Sequence, residues 1–300
     1  MQVACGSDHV LALSRKGTVY VWGNGQQAQL GRRIIERRKV NGLYPERLAL
    51  RRIKYIAAGN YHSFAVTEKG IVYAWGLNSF RQTGVEAELG GDDDAVWVPT
   101  EVTALNPKRL GKTRKVIEIS GGEHHTLFLL NDGSVYGCGR CDGFELGLAD
   151  DHPSMVELEN QDKQEDASTP VSSRSSKAMS FIAKPTLIPF PPLPTVEDPH
   201  PSVPAFQSTN HVAPVNPIAH ISAGTKHNLA VSRAGHAYAW GIGLVGQLGL
   251  GPKVEAQKTP ARIRSSVLDE RRPDGTGWTW IIENATAGGQ HCLLMARKVE

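Results

Sequence analysis

Five histidines share one local setting. His9, His62, His125, His227 and His291 each close a Gly-x-x-His box, opened by Gly6, Gly59, Gly122, Gly224 and Gly288. Imidazole is a common metal ligand, but a bound ion needs several donors at ligand spacing, and these boxes stand far apart with no second donor beside them. A structural role fits better: each imidazole hydrogen-bonds within its own repeat and holds a hairpin together. Cys138-Gly139-Arg140-Cys141 forms a C-x-x-C that lacks both a partner pair for zinc and a βαβ setting for redox chemistry. Nucleophile-elbow, P-loop and zinc-protease patterns are absent, so hydrolytic catalysis has little support; no metal, cofactor or small-molecule substrate is expected. The densest charge lies in residues 32–54, where Arg32, Arg33, Arg37, Arg38, Lys39, Arg47, Arg51, Arg52 and Lys54 face only Glu36 and Glu46, a net of +7. Such a run favours an acidic protein surface or a phosphate backbone, with a solvated basic loop as an equally weighted reading.

These residues need a frame, and composition bounds what it can be. A chain of 300 residues with 40% apolar content can bury a substantial core. Its formal charge is only +3, so any polyanion-binding surface must be local. No apolar run approaches the roughly 18–20 residues that span a bilayer, so no membrane partner is expected. The start Met1-Gln2-Val3-Ala4-Cys5-Gly6 has neither the charged nor the apolar region of a secretory signal. Four cysteines are too few for a disulfide scaffold, and reduced thiols in cytosol or nucleus are expected.

The glycines supply the frame. Aligned on Gly6, Gly59, Gly122 and Gly224, a second glycine follows after 11 positions (Gly17, Gly70, Gly133, Gly235), a third after 17 (Gly23, Gly76, Gly139, Gly241) and a fourth after 25 (Gly31, Gly84, Gly147, Gly249). The third is preceded by Trp22, Trp75, Cys138 and Trp240, and the fourth closes Gln29-Leu30-Gly31, Gln82-Thr83-Gly84, Glu145-Leu146-Gly147 and Gln247-Leu248-Gly249. A fifth copy begins at Gly288. Between the first and second glycines the chain alternates apolar with small or polar residues, as in His62-Ser63-Phe64-Ala65-Val66-Thr67, the period of a strand. The second glycine makes a hairpin turn, and a second strand such as Val72-Tyr73-Ala74-Trp75 follows. Another apolar strand precedes each box, for example Ile53 to Ile56, and upstream of that come Pro45 to Leu48, Pro99 to Val102, Pro185 to Ile188 and Pro260 to Ile263. A strand opening with proline belongs at a sheet edge. Four short antiparallel strands per repeat, stacked radially, make a β-propeller, so the fold class is all-β with no helix expected.

The first glycines are mostly 53 to 64 residues apart, longer than a WD-type blade, and the dipeptide is Trp-Gly. This grid, with the Gly-x-x-His box, Trp-Gly and Gln-Leu-Gly, resembles the regulator of chromosome condensation repeat family. Three stretches carry a narrower likeness to its founding branch: Gly23 to Arg32, Gly121 to Thr126, and Ala287 to His291. The resemblance implies a seven-bladed propeller, of which about four blades and closing strands are present, so the chain reads as the C-terminal portion of a longer protein without the β-hairpin wedge and basic tail. It also implies a nuclear guanine-nucleotide exchange factor for the GTPase Ran that acts on chromatin through binding and not covalent chemistry. The domain reading is propeller repeats over 1–149 and 218–300, with a Pro/Ser-rich, largely disordered insert over 150–217 that holds one strand near 185–188. That interval contains 12 of the 18 prolines.

In a propeller the middle residues of every box converge on one face. They are Ser7-Asp8, Asn60-Tyr61, Glu123-His124, Thr225-Lys226 and Gly289-Gln290. The resemblance places the exchange-critical acidic and histidine positions on Asp8 and His124, where the plainer readings are an Asp that caps its own backbone and a solvated neighbour of the repeat histidine; the converging positions Ser7, Asn60, Tyr61, Glu123, Lys226 and Gln290 are the candidate partner contacts. It places a nucleosome-docking loop after Gln29-Leu30-Gly31, with Arg37, Arg38 and Lys39 as its candidates. A non-exchanging propeller scaffold and a chromatin-binding adaptor are the alternatives.

Overall fold

The computed structural model describes residues 1–33, 42–168, 180–195, 201–203, 214–272, 275 and 277–299. Each glycine-grid repeat folds into a four-stranded sheet in chain order. The first holds β1 (Gln2–Cys5), β2 (His9–Leu13), β3 (Val19–Gly23) and β4 (Glu46–Arg47); the second holds β5 (Ile53–Ala58), β6 (His62–Thr67), β7 (Val72–Leu77) and β8 (Ala95–Glu101). The third holds β9 (Val116–Gly121), β10 (His125–Leu130), β11 (Val135–Arg140) and β12 (Phe181–Ile188), and the fourth β13 (Ile218–Ala223), β14 (His227–Ser232), β15 (Ala237–Ile242) and β16 (Ala256–Arg262). A two-stranded hairpin of β17 (Trp280–Ala287) and β18 (Cys292–Lys298) follows. All pairings are antiparallel, and the described sheets do not close into a ring.

The period-2 pattern has an unusual meaning here. The second strands β6, β10 and β14 are buried on both faces, because each sheet is sandwiched between neighbours. The polar members of the alternation, Ser63, Thr126 and Asn228, are fully buried and face the preceding sheet. In the first sheet, β2 keeps the ordinary alternation of buried and partly exposed residues.

Three motifs meet at each joint between sheets. The His9 Nε2 pairs with the Ser63 hydroxyl at 2.8 Å, His62 with Thr126 at 2.8 Å, and His125 with the Asn228 Oδ1 at 2.7 Å. The box histidines therefore hold the next sheet and not their own hairpin, which corrects the expectation above. Ser63 Oγ donates onward to the Gln29 carbonyl (3.0 Å), Thr126 Oγ1 to that of Gln82 (2.7 Å) and Asn228 Nδ2 to that of Glu145 (2.8 Å). Since each acceptor's own hydrogen is already committed, Nε2 carries the imidazole proton. The same carbonyls take the Trp75 Nε1–H (2.9 Å) and the Trp240 Nε1–H (3.0 Å), while Cys138 Sγ stands 3.5 Å from the Gln82 carbonyl in the tryptophan slot. Fourth-glycine Gly31 has positive φ, and a Cβ there would stand 2.9 Å from the Trp75 Nε1, so a larger residue would push the joint apart.

Other expectations need correction. The proline-led segments do form the outermost strand of each sheet, but they close the sheet preceding them in the chain, and apart from Pro45, which precedes β4, the proline lies inside its strand. Pro99, Pro185 and Pro260 sit where the register shifts opposite Ala74 to Gly76, Gly137 to Gly139 and Ala239 to Gly241, so the residue that cannot donate occupies a bulge. Helices also occur. The short α1 (Pro107–Leu110) is capped by Asn106, whose side chain accepts from the Lys108 amide at 2.9 Å. The longer α2 (Pro153–Ser168) lies in the expected insert and packs Met155 and Leu158 on the core of the third and fourth sheets. Averaging over the proline-rich interval hid it: proline occupies its first position, where no amide partner is needed, and the segment that follows has none. Phe190, in the same interval, lies edge-on to Tyr238 and Trp240 at 5.8 and 5.6 Å. Among the described residues no helix is long and apolar enough to cross a membrane.

Candidate functional site

The boxes lie at one end of the strands and link directly to one another. The Ser7 amide donates to the Asn60 carbonyl (2.9 Å), the Asn60 amide to that of Gly122 (3.0 Å) and the Glu123 amide to that of Thr225 (3.4 Å). Gly289 follows, 3.7 Å from the Thr225 hydroxyl if given a Cβ. The variable residues thus form a continuous arc. The third glycine of each repeat supports it, because a Cβ on Gly23, Gly76, Gly139 or Gly241 would stand 2.3–2.5 Å from the carbonyl of Asp8, Tyr61, His124 or Lys226. At φ near +110° these positions also exclude most side chains.

Along the arc, Ser7, Asp8 and Gln290 are exposed, and Asn60, Tyr61, Glu123, His124 and Lys226 are half-buried. Asp8 and His124 belong to boxes separated by that of Asn60-Tyr61. Asp8 presents its side chain to solvent while its carbonyl accepts the Asn24 amide at 2.7 Å.

His124 is built in more firmly. Its ring lies 4.6 Å from that of Phe80, tilted by 34°, and its Nε2 is 3.8 Å from a Glu123 carboxylate oxygen. The Arg140 amide donates to the His124 carbonyl at 2.9 Å, and the Arg140 guanidinium lies over the other ring partner, Phe80, at 5.3 Å. Asp142 grips that guanidinium through both carboxylate oxygens. Burial holds the His124 imidazole below its ordinary range; Glu123 opposes this, and Arg140 and Lys226 add to it. Phe80 and Arg140 left no sequence signal, since their counterparts are Gln27, Gly143 and Val245, and Asn24, Leu77 and Ile242.

The basic run divides. Arg32 pairs with Glu46 at 3.1 Å, whereas exposed Arg51 and Arg52 lie beside the Gly17 hairpin, at the strand ends opposite the boxes. Arg37, Arg38 and Lys39 lie outside the described residues. Cys138 and Cys141 are buried and are not joined by a disulfide, and among the described residues no three His, Cys, Asp or Glu side chains group so as to hold a metal.

Radial four-stranded sheets joined box to box define a repeat protein of the β-propeller class. The chain belongs to the RCC1-like domain family, whose model matches residues 1–294. It is 37% identical over 293 residues to Protein pim1 of Schizosaccharomyces pombe, covering 98% of this chain and 44% of that protein. It is 36% identical over 272 residues to the guanine nucleotide exchange factor SRM1 of Saccharomyces cerevisiae, covering 90% and 47%. The crystal structure of Prp20p from Saccharomyces cerevisiae, described with its binding to Gsp1p and histones, superposes with a TM-score of 0.71 at 30% identity, covering all of this chain and 56% of that one. The chain spans about half the length of the curated relatives it matches.

Proposed function

We propose that this chain acts in guanine-nucleotide exchange on a Ran-type GTPase, through the face that carries Asp8 and His124. The observation that supports it is the continuous arc of linked boxes, which presents an exposed carboxylate and a fixed imidazole on one surface. The similarity to the exchange factor SRM1 supports it further. A GTPase holds its nucleotide through P-loop amides, a lysine and Mg²⁺. A protein that binds the empty form more tightly than the loaded form weakens nucleotide binding by the same factor, so no covalent step is needed. In this reading Asp8 competes for the phosphate-binding lysine, and His124 holds the displaced loop by hydrogen bonds. Ser7, Asn60, Tyr61, Glu123, Lys226 and Gln290 make the surrounding contacts. Arg37, Arg38 and Lys39 bind chromatin, which makes the site of action nuclear.

The test is release of fluorescent GDP from Ran in the presence of this chain. Asp8→Ala is expected to slow stimulated release about tenfold or more, a loss of roughly 1.4 kcal/mol in transition-state stabilisation, with the thermal transition unchanged. An unchanged release rate removes Asp8 from the mechanism.

A further inference from the structure

The surroundings of His124 come from two sheets and include residues that the grid does not mark. Phe80 arrives from the turn after β7, and Arg140 ends β11. Arg140 bears on the His124 surroundings twice, by its amide on the His124 carbonyl and by its guanidinium over Phe80, the ring that also meets the imidazole. Asp142 fixes the guanidinium plane, with Nη2 donating to Oδ2 at 2.9 Å, and buried Glu145 lies 3.8 Å from the Arg140 Nε. The His124 Nδ1 is buried without a partner, so Nε2 is the nitrogen left for an incoming protein.

We propose that Arg140 and Phe80 are positioning residues for His124: the clamped guanidinium, the phenyl ring and the imidazole form a three-tier stack that presents Nε2 to a bound GTPase in one orientation. The role of His124 in this inference rests on the exchange reading; the stack itself does not. A lysine cannot replace Arg140, because only the planar guanidinium can both lie flat on a ring and take a two-oxygen grip. The charged and titratable groups facing the imidazole are Glu123 from its own box, Arg140 and Asp142 from the end of the third sheet, Lys226 from the next box, and His62 and His125.

The experiment combines nitrogen-resolved NMR titration of the His124 ring with GDP release from Ran, on the intact chain and on Arg140→Gln, Arg140→Lys and Phe80→Leu. Arg140→Gln is expected to raise the His124 midpoint by about half a pH unit, because a nearby cation is gone. It is expected to slow release about 10- to 100-fold through misplacement of the ring. Arg140→Lys is expected to restore the midpoint without restoring release, and Phe80→Leu to slow release with the fold intact by circular dichroism. Release restored by lysine, or a midpoint unmoved by glutamine, overturns the stack. Should the intact chain fail to accelerate release at all, the exchange reading falls, while loss of the Phe80 ring-current shift from the His124 ring protons in both Arg140→Gln and Arg140→Lys still upholds the stack, and a shift retained in either still rejects it.

Discussion

His62 is sealed between sheets, edge-on to Phe64 at 5.4 Å, with one nitrogen committed to Thr126 and the other left without a partner. Such a ring is held neutral. Burial drives His62 down to about 3 and His9 and His125 to about 4, with Asp8 pulling His9 partly back and the Asn228 bond doing the same for His125. Unfolded imidazoles titrate near 6.5. Between these limits the unfolded chain binds more protons, so the stability is fully present above about pH 6.5 and is lost as pH falls toward 4. The limiting slope is roughly 1.4 kcal/mol per pH unit for each ring. Urea unfolding at pH 7 and pH 5.5 measures this directly: the midpoint is expected to drop at the lower pH, and equal midpoints would show that these rings remain solvated.

At the scale of elements, cohesion between sheets depends on the short relays from imidazole to hydroxyl or amide to carbonyl. Thr126→Val keeps the shape of the strand but leaves the His62 donor and the Gln82 carbonyl with one partner fewer. A loss of roughly 1–3 kcal/mol is expected, read as a lower thermal transition, and a neutral substitution would mean that packing alone joins the sheets. These relays explain what the sequence could and could not tell. The glycine grid reports backbone positions where a Cβ has no room, a local and repeated constraint, so sheet number, strand order and box positions were legible. The destination of the histidines was not, because the partners Ser63, Thr126 and Asn228 differ in type and lie 54 to 103 residues away. Phe80 and Arg140 were hidden for a related reason: they serve one joint only, and a repeat alignment averages such residues away. The helix α2 was masked by the prolines around it.

At the scale of the whole molecule the described sheets pack neighbour on neighbour, and the core runs as three successive apolar clusters, so stability is close to a sum over joints. The end sheets carry the uncovered faces, with Val3 64%, Leu293 67% and Met295 55% exposed. Such faces are free to take up a neighbour and are the least protected against opening. The last joint differs in one atom. Where earlier joints use a hydroxyl or an amide, His227 meets the Cys292 thiol at 3.2 Å. Burial pushes that thiol up to about 11, so at neutral pH it reacts poorly until the β17–β18 hairpin moves away. Cys5 is exposed, while Cys138 and Cys141 are enclosed by the third sheet and its neighbours. A maleimide added to the native chain should therefore be consumed in three kinetic phases: Cys5 at once, Cys292 at the opening rate of the terminal hairpin, and the interior pair only on global unfolding. Measured by mass spectrometry, Cys292 labelling as slow as that of Cys138 would mean that the hairpin never departs alone; a separate middle phase would make this sulfur a stopwatch for the weakest joint of the arc.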